Sequence, residues 1–475
     1  MTDWIPITEH HERILNSGLP KKTISKWLDD VETLKLAKKS DGKNLKSDTA
    51  KTGALIRKGW DFCNKLPLKS ERNKKELAAG QSLVYFITTL CRNVCEIHRK
   101  TMYEKLTNNY RQFLRTEELA WKAAELWPGI VPTHNELKQE EERIQKDKDG
   151  MELNQGIFFS QLLMEPEAGI HQLHAMLRPK AESEELLHRF IKKGLIKLDH
   201  ITVEKKDGAG YITMSHPRYL NAEDDTTVPD LETAVDLVTM HPEINIGILR
   251  GEVVEHPKYK GRRVFDSGIN LTKIYQGKLP YLMYLTRDFG VVNKLYYGLA
   301  GDSWNEDDPN NTVEKLWVAA VESFAIGGGC QLLLVMDYVI AESGSYFSLP
   351  ARKEGIIPGA ANLRLARFLG DSLAREAILF DKQFKVESPE AARLINLVVP
   401  REKMDETIQE FIGKALGSGM VSAAGNRKVL RIPQENMEIY RRYMANFAEI
   451  QAYCHLSDQL IVNLEKYWKA RERKL

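Results

Sequence analysis

The sequence predicts an α/β layered core carried between helical segments. Three observations predict it. Between residues 198 and 400 short β-rich runs alternate with helix-spaced ones. The stretches on either side carry apolar residues at helical spacing. At 475 residues the chain is too long for one ordinary domain. The expected division is a helical domain at 1–195, the core at 196–400, and C-terminal helices at 401–475.

In the first region, residues 83–90 are apolar within a long stretch that reads as helix. Residues 102–127 place Leu106, Tyr110, Phe113, Leu114, Leu119, Trp121 and Leu126 at roughly helical spacing. Trp127-Pro128-Gly129 is a stop signal. Residues 40–51, rich in Lys, Ser and Asp, read as a flexible loop, and the charged run 137–149 reads as a solvated helix or loop. In the core, 200–203 and 211–214 are strand-like, and Lys205-Lys206-Asp207-Gly208 between them signals a hairpin. Further strands are expected at 244–249, 263–266, 317–321, 338–341 and 397–399. Helices are expected at 331–336, 359–369, 371–379 and 389–394. Beyond 401 the pattern is helical, with Tyr440, Tyr443, Met444 and Phe447 on one face.

Composition excludes several roles. Lys and Arg total 68 against 66 Asp and Glu, a net +2, so no broad electrostatic case exists for nucleic acid or an anionic membrane. No apolar run approaches the roughly 18 residues a bilayer span needs. The opening Met1-Thr2-Asp3-Trp4 lacks a basic-then-apolar export signal. Five sparse cysteines (Cys63, Cys91, Cys95, Cys330, Cys454) do not form a disulfide framework. A cytoplasmic protein is expected. Cys91 and Cys95 share a helix face, which reads as buried packing rather than metal or redox chemistry.

Three segments could carry chemistry. Ala325-Ile326-Gly327-Gly328-Gly329-Cys330-Gln331 runs from a strand toward a helix. It reads either as an anion or oxyanion site or as a tight turn. It is neither a phosphate loop nor a dinucleotide fingerprint. Phe265-Asp266-Ser267-Gly268-Ile269-Asn270-Leu271 is a strand end entering a glycine turn, where the Ile269 amide could donate. Glu354-Gly355-Ile356-Ile357-Pro358-Gly359-Ala360 precedes a helix.

The order and spacing of these segments resemble the crotonase, or enoyl-CoA hydratase/isomerase, superfamily. The likeness begins at His216-Pro217-Arg218-Tyr219-Leu220-Asn221-Ala222. It continues through the Ser-Gly-Ile-Asn-Leu turn, the triple glycine, Met336-Asp337-Tyr338, Ile357-Pro358-Gly359 and Ser388-Pro389-Glu390-Ala391-Ala392. It implies a crotonase-like core of stacked ββα turns with an N-terminal all-helical extension and C-terminal oligomerisation helices. It also implies a bound acyl-CoA, and a homo-oligomer, a trimer or a dimer of trimers (hexamer). By position, the amides of Ile269 and Gly328 would clasp the thioester oxygen, with Gly327 and Gly329 beside them. Two fixed N–H donors stabilise an enolate oxygen by several kcal/mol.

Hydratases of this superfamily carry two glutamates where this chain has Gln331 and Ala351. An amide and a methyl group supply neither the base nor the acid for water addition. The stretch from Leu349 to Arg364, with Gly261-Arg262-Arg263-Val264-Phe265 and Gln155-Gly156-Ile157-Phe158, is similar to one unusual branch, the 3,5-dihydroxyphenylacetyl-CoA 1,2-dioxygenases. That likeness implies chemistry with no metal and no organic cofactor, O2 and a CoA thioester being the substrates. The products would be 3,5-dihydroxyphenylglyoxylate and free CoA, in the biosynthesis of the dihydroxyphenylglycine unit of peptide antibiotics. It implies that Glu223 meets a ring hydroxyl, that Arg287 and Gln331 hold the substrate, and that Ile356 lines an apolar O2 pocket near Ala351. Arg218, Arg262, Arg263 and backbone groups at Asp266 would hold CoA. Each has a plainer alternative: Glu223 a helix-start acid, Arg287 a surface partner of Asp288, Gln331 a helix polar residue, Ile356 core. No HxH, HExxH or two-His-carboxylate spacing occurs in the core, so no metal is expected. A thioesterase or decarboxylase on the same oxyanion hole, or a non-catalytic scaffold, are the competing readings.

Overall fold

A computed structural model describes residues 5–305, 308–417 and 419–474. The opening four residues, on which the export reading rests, lie outside them. The chain forms two compact units. One is Met1–Gln172 with Thr272–Leu282 and Met444–Leu475; the other is Leu173–Leu271 with Met283–Tyr443.

The first unit is built on helices. Gly42–Cys63 begins where the Asp41 carboxylate accepts the amides of Lys43 and Asn44 at 2.9 and 2.7 Å. This overturns the loop expected at 40–51: behind its polar letters Leu45, Asp48, Thr49 and Thr52 form a buried stripe. The helix packs on Lys74–Leu106, where a Cβ on Gly59 would come within 2.7 Å of Ile87 Cγ1. Trp27 sits edge-on to Phe62 and Phe86 between them. The single helical pattern expected over 102–127 is broken. Asn108, Asn109 and Tyr110 take φ of 51°, 53° and 61°, and a new helix runs Thr116–Leu126 before Trp127. Two helices with matching spacing look continuous in sequence. The charged run 137–149 is only half as expected. His134–Glu141 is a helix, but Glu140 is buried and accepts the amides of Asp149, Gly150 and Met151 at 2.7, 2.8 and 3.0 Å.

In the second unit a seven-stranded sheet carries the layers. Its strands, with three of a second sheet, are β1 (Leu195–Lys197), β2 (Ile201–Lys206), β3 (Ala209–Met214), β4 (Ile246–Gly251), β5 (Leu316–Val321), β6 (Phe324–Ile326), β7 (Tyr338–Glu342), β8 (Tyr346–Ser348), β9 (Gln383–Lys385) and β10 (Leu397–Val399). The sheet order is β1-β2-β3-β4-β5-β7-β10, antiparallel through β3 and parallel beyond. A second sheet runs β6-β8-β9. The Asp207-Gly208 turn closes the β2–β3 hairpin, as its letters predict. The repeat is visible in register: β7 lies on β5 with Ile340 opposite Ala320, and β8 lies on β6 with Phe347 opposite Ala325. Each pair of strands is followed by a short helix, Gly328–Leu333 and then Ala351–Glu354.

The core lies on both faces. Ile246, Ile248, Val318, Ala320 and Ile340 pack under Met404, Ile408 and Ile412 of the helix Met404–Leu416. Each such buried side chain stabilises the fold by about 1.5–3 kcal/mol relative to exposure. The helix Thr227–Met240, unannounced in the sequence, packs against β2, β3 and β4. The strand expected at 263–266 shrinks to Arg262–Arg263, with Asp266 bridging singly to Ala325. The helix expected at 389–394 is one turn, Ala391–Arg393.

Candidate active site

The two turns singled out in the sequence meet. The Asp266–Ala325 and Glu223–Ile269 bridges draw residues 266–269 against the triple glycine. A Cβ on Gly268 would fall 2.8 Å from Ile326 O and 3.1 Å from the Gly328 nitrogen. The N–H groups of Ile269 and Gly328 have no partner among the described residues.

Each of the three glycines has its own reason. Gly327 takes φ of 54° and ψ of −112°, donates to Ser348 O at 2.9 Å, and turns the chain into the helix. At Gly328 a Cβ would lie 1.8 Å from Glu223 Oε2. At Gly329 it would lie 2.6 Å from Asp266 Cβ. The triple glycine is therefore more than a tight turn, because two carboxylate side chains press on it.

A guanidinium organises the cleft. Arg287 ends the helix Leu282–Arg287, where a π-helical turn, Asp288–Val292, begins. It is 5% exposed. Its Nε donates to Glu223 Oε2 at 2.9 Å, Nη1 to Gln331 Oε1 at 2.8 Å, and Nη2 to Gly328 O at 3.0 Å. Burial works against its charge, yet Glu223 and Asp288 hold its pKa above the ordinary value. Asp288 lies 3.7 Å from Nη1, so Arg287 does pair with its neighbour, but both are buried in the cleft and not on the surface. Burial pushes the Asp288 carboxyl up to about 6 against the pull of Arg287 and Arg364. Glu223, expected by its plainer alternative to start a helix, instead bridges Ile269 through its backbone, and its Oε1 is buried without a hydrogen bond.

Glu223, Ile269, Gly327, Gly328, Arg287, Gln331 and Ile356 line one narrow cleft. Ile356 is half-buried there. Ala351 is buried, but neither it nor Gly329 is among the residues that line this cleft. Three further lining residues, Tyr284, Asp288 and Glu354, escaped the sequence reading. Asp288 had been weighed only as a partner of Arg287, and Glu354 only as a letter in a motif.

The four residues expected at CoA do not line this cleft. Arg262 pairs with Glu342 at 2.9 Å and Arg263 with Glu252 at 3.2 Å. Arg218 is exposed over the Tyr219 ring. Asp266 is tied into the turn. Its N–H and C=O are taken by Phe324 O and Ile326 N, and its Oδ1 accepts the Gly268 amide at 2.6 Å. It is fully buried, and burial together with the Glu223 charge holds its carboxyl well above the usual range. Asp266 braces the turn.

Residues 204–447 match the family model for enoyl-CoA hydratase/isomerase. The chain belongs to the enoyl-CoA hydratase/isomerase family. Within the family it is 44% identical over 389 residues to the (3,5-dihydroxyphenyl)acetyl-CoA 1,2-dioxygenase of Amycolatopsis orientalis, covering 82% of this chain and 88% of that one. It is 28% identical to a probable mitochondrial enoyl-CoA hydratase of Dictyostelium discoideum, over 51% of this chain and 80% of the relative. Among solved structures, the enoyl-CoA hydratase of Bacillus halodurans aligns with 56% of this chain and all of its own, at 20% identity and a TM-score of 0.47. Among the described residues no helix is long and apolar enough to cross a membrane.

Proposed function

We propose that this enzyme oxygenates (3,5-dihydroxyphenyl)acetyl-CoA with O2, without metal or organic cofactor, giving 3,5-dihydroxyphenylglyoxylate and free CoA. One observation carries the reading. The unpartnered amides of Ile269 and Gly328 stand at a cleft lined by Gln331, an amide where a hydratase would carry a carboxylate, in a chain 44% identical to a dioxygenase of that substrate.

The chemistry follows from the groups present. An aryl-acetyl thioester has an acidified Cα–H between ring and carbonyl. Its enolate oxygen sits between the two amides, where prearranged donors act without reorganisation. The enolate is electron-rich enough to reduce O2, and the peroxide formed at Cα attacks the thioester carbon and expels CoA. Glu223 and Gln331, both held by Arg287, meet the ring and carbonyl end of the substrate. Ile356 supplies an apolar wall for O2.

A homo-oligomer, a trimer or dimer of trimers, is part of this proposal. The helix Met420–Gln434 supports it by leaving Val421, Val429 and Leu430 between 65% and 91% exposed. Protein treated with chelator, given the CoA ester in an oxygen electrode, should consume one O2 per CoA released. CoA release without O2 uptake would replace the proposal with a thioesterase.

A further inference from the structure

Every enolate route needs a base for the Cα proton, and the two hydratase glutamates are absent. We propose that Glu354 is that base; the inference rests on the acyl-thioester reading of the same cleft. Glu354 is 4% exposed and lines the cleft with Gly327 and Gly328. A Cβ on Gly327 would lie 3.8 Å from Glu354 Oε1 and 3.9 Å from Oε2. Bond lengths then limit the carboxylate to about 8 Å from the Gly328 nitrogen. A thioester oxygen about 3 Å from that amide, with Cα two bonds further, covers most of that span, so an acyl group whose Cα is turned toward Glu354 meets its carboxylate.

The other acids of the cleft are engaged. Glu223 accepts from Arg287 Nε, and Asp288 lies 3.7 Å from Arg287 Nη1. On Glu354's own short helix, Arg352 and Lys353 turn to Asp381, at 3.1 and 3.8 Å. The Glu354 carboxylate itself takes no side-chain ion pair or hydrogen bond among the described residues. Burial, with the Asp381 charge adding, raises its carboxyl to about 7. A base so placed is strong enough to act and still ionised near neutrality. In the step the Cα–H bond breaks, its electron pair passes to the carbonyl oxygen between Ile269 and Gly328, and the proton ends on Glu354.

The test is anaerobic exchange. Enzyme and (3,5-dihydroxyphenyl)acetyl-CoA are mixed in D2O without O2, and deuterium at Cα is followed by NMR. The wild type should exchange, faster as pH rises and levelling above about 7. Glu354→Gln should slow exchange and aerobic O2 uptake by 10²–10⁴-fold, lose that pH limb, and bind the ester with unchanged Kd. Glu354→Ala should regain exchange with added formate. Exchange or O2 uptake by Glu354→Gln at the wild-type rate overturns the assignment. Wild-type exchange that depends on Glu354, with no O2 uptake in air, upholds the base and removes the dioxygenase reading instead.

Discussion

Replacing Arg287 with Met tests the organisation of the cleft. The change removes three hydrogen bonds, to Glu223, Gln331 and Gly328 O, from a guanidinium 5% exposed. Its main cost is the Glu223 carboxylate, 3% exposed, left without its cation. Breaking a buried pair by removing one partner costs about 3–5 kcal/mol. Urea unfolding at pH 7.5 should show a loss of about that size. Arg287→Met with Glu223→Gln should recover most of the stability, because no buried charge is then stranded. A single variant costing under about 1 kcal/mol, or a double variant no better than the single, refutes the reasoning.

Three other outcomes are expected. Gly328→Ala forces a methyl 1.8 Å from Glu223 Oε2 and should cut O2 uptake at least about 100-fold, measured alongside a circular dichroism spectrum that stays folded. Glu354→Gln should raise stability at pH 8 by about 3 kcal/mol; the folded carboxyl, raised by burial to about 7, favours the fold below its unfolded pKa, and that contribution fades as pH rises toward 7. Thermal melts at pH 4 and pH 8 check this, the difference between variant and wild type shrinking at pH 4. Lys294→Met leaves Glu232 and Asp236, both within 2.7 Å of the buried ammonium, facing each other, and should cost about 3–5 kcal/mol or prevent folding altogether. Restoring stability then requires neutralising both acids.

Much of the core was legible because its signals are local. The hairpin at Asp207-Gly208, the strand at Leu397–Val399 and the stop at Trp127 rest on neighbouring letters and appear where expected. Other features depend on distant partners and could not be read so. The helix Thr227–Met240 is buried on most of its surface, so it shows no clean apolar stripe. The helix at Gly42–Cys63 hid behind polar residues because Asp48 is buried against His98, 3.0 Å away. At the site, the glycine run marks a segment that lines the cleft. The surroundings of Asp266 and Glu354 were not legible, because Glu223 and Asp381, which act on their carboxyls, lie far away along the chain.

The crowding around Gly328 has a consequence for anyone wishing to redirect this catalyst. With a carboxylate lodged against its Cα and Asp266 pressed behind Gly329, the glycine turn offers no room for variation. Latitude lies on the opposite wall, where Tyr284, Ile356 and Ile357 border the same hollow. Directed evolution toward other aryl groups should therefore collect its accepted changes at those three positions and leave the glycines untouched.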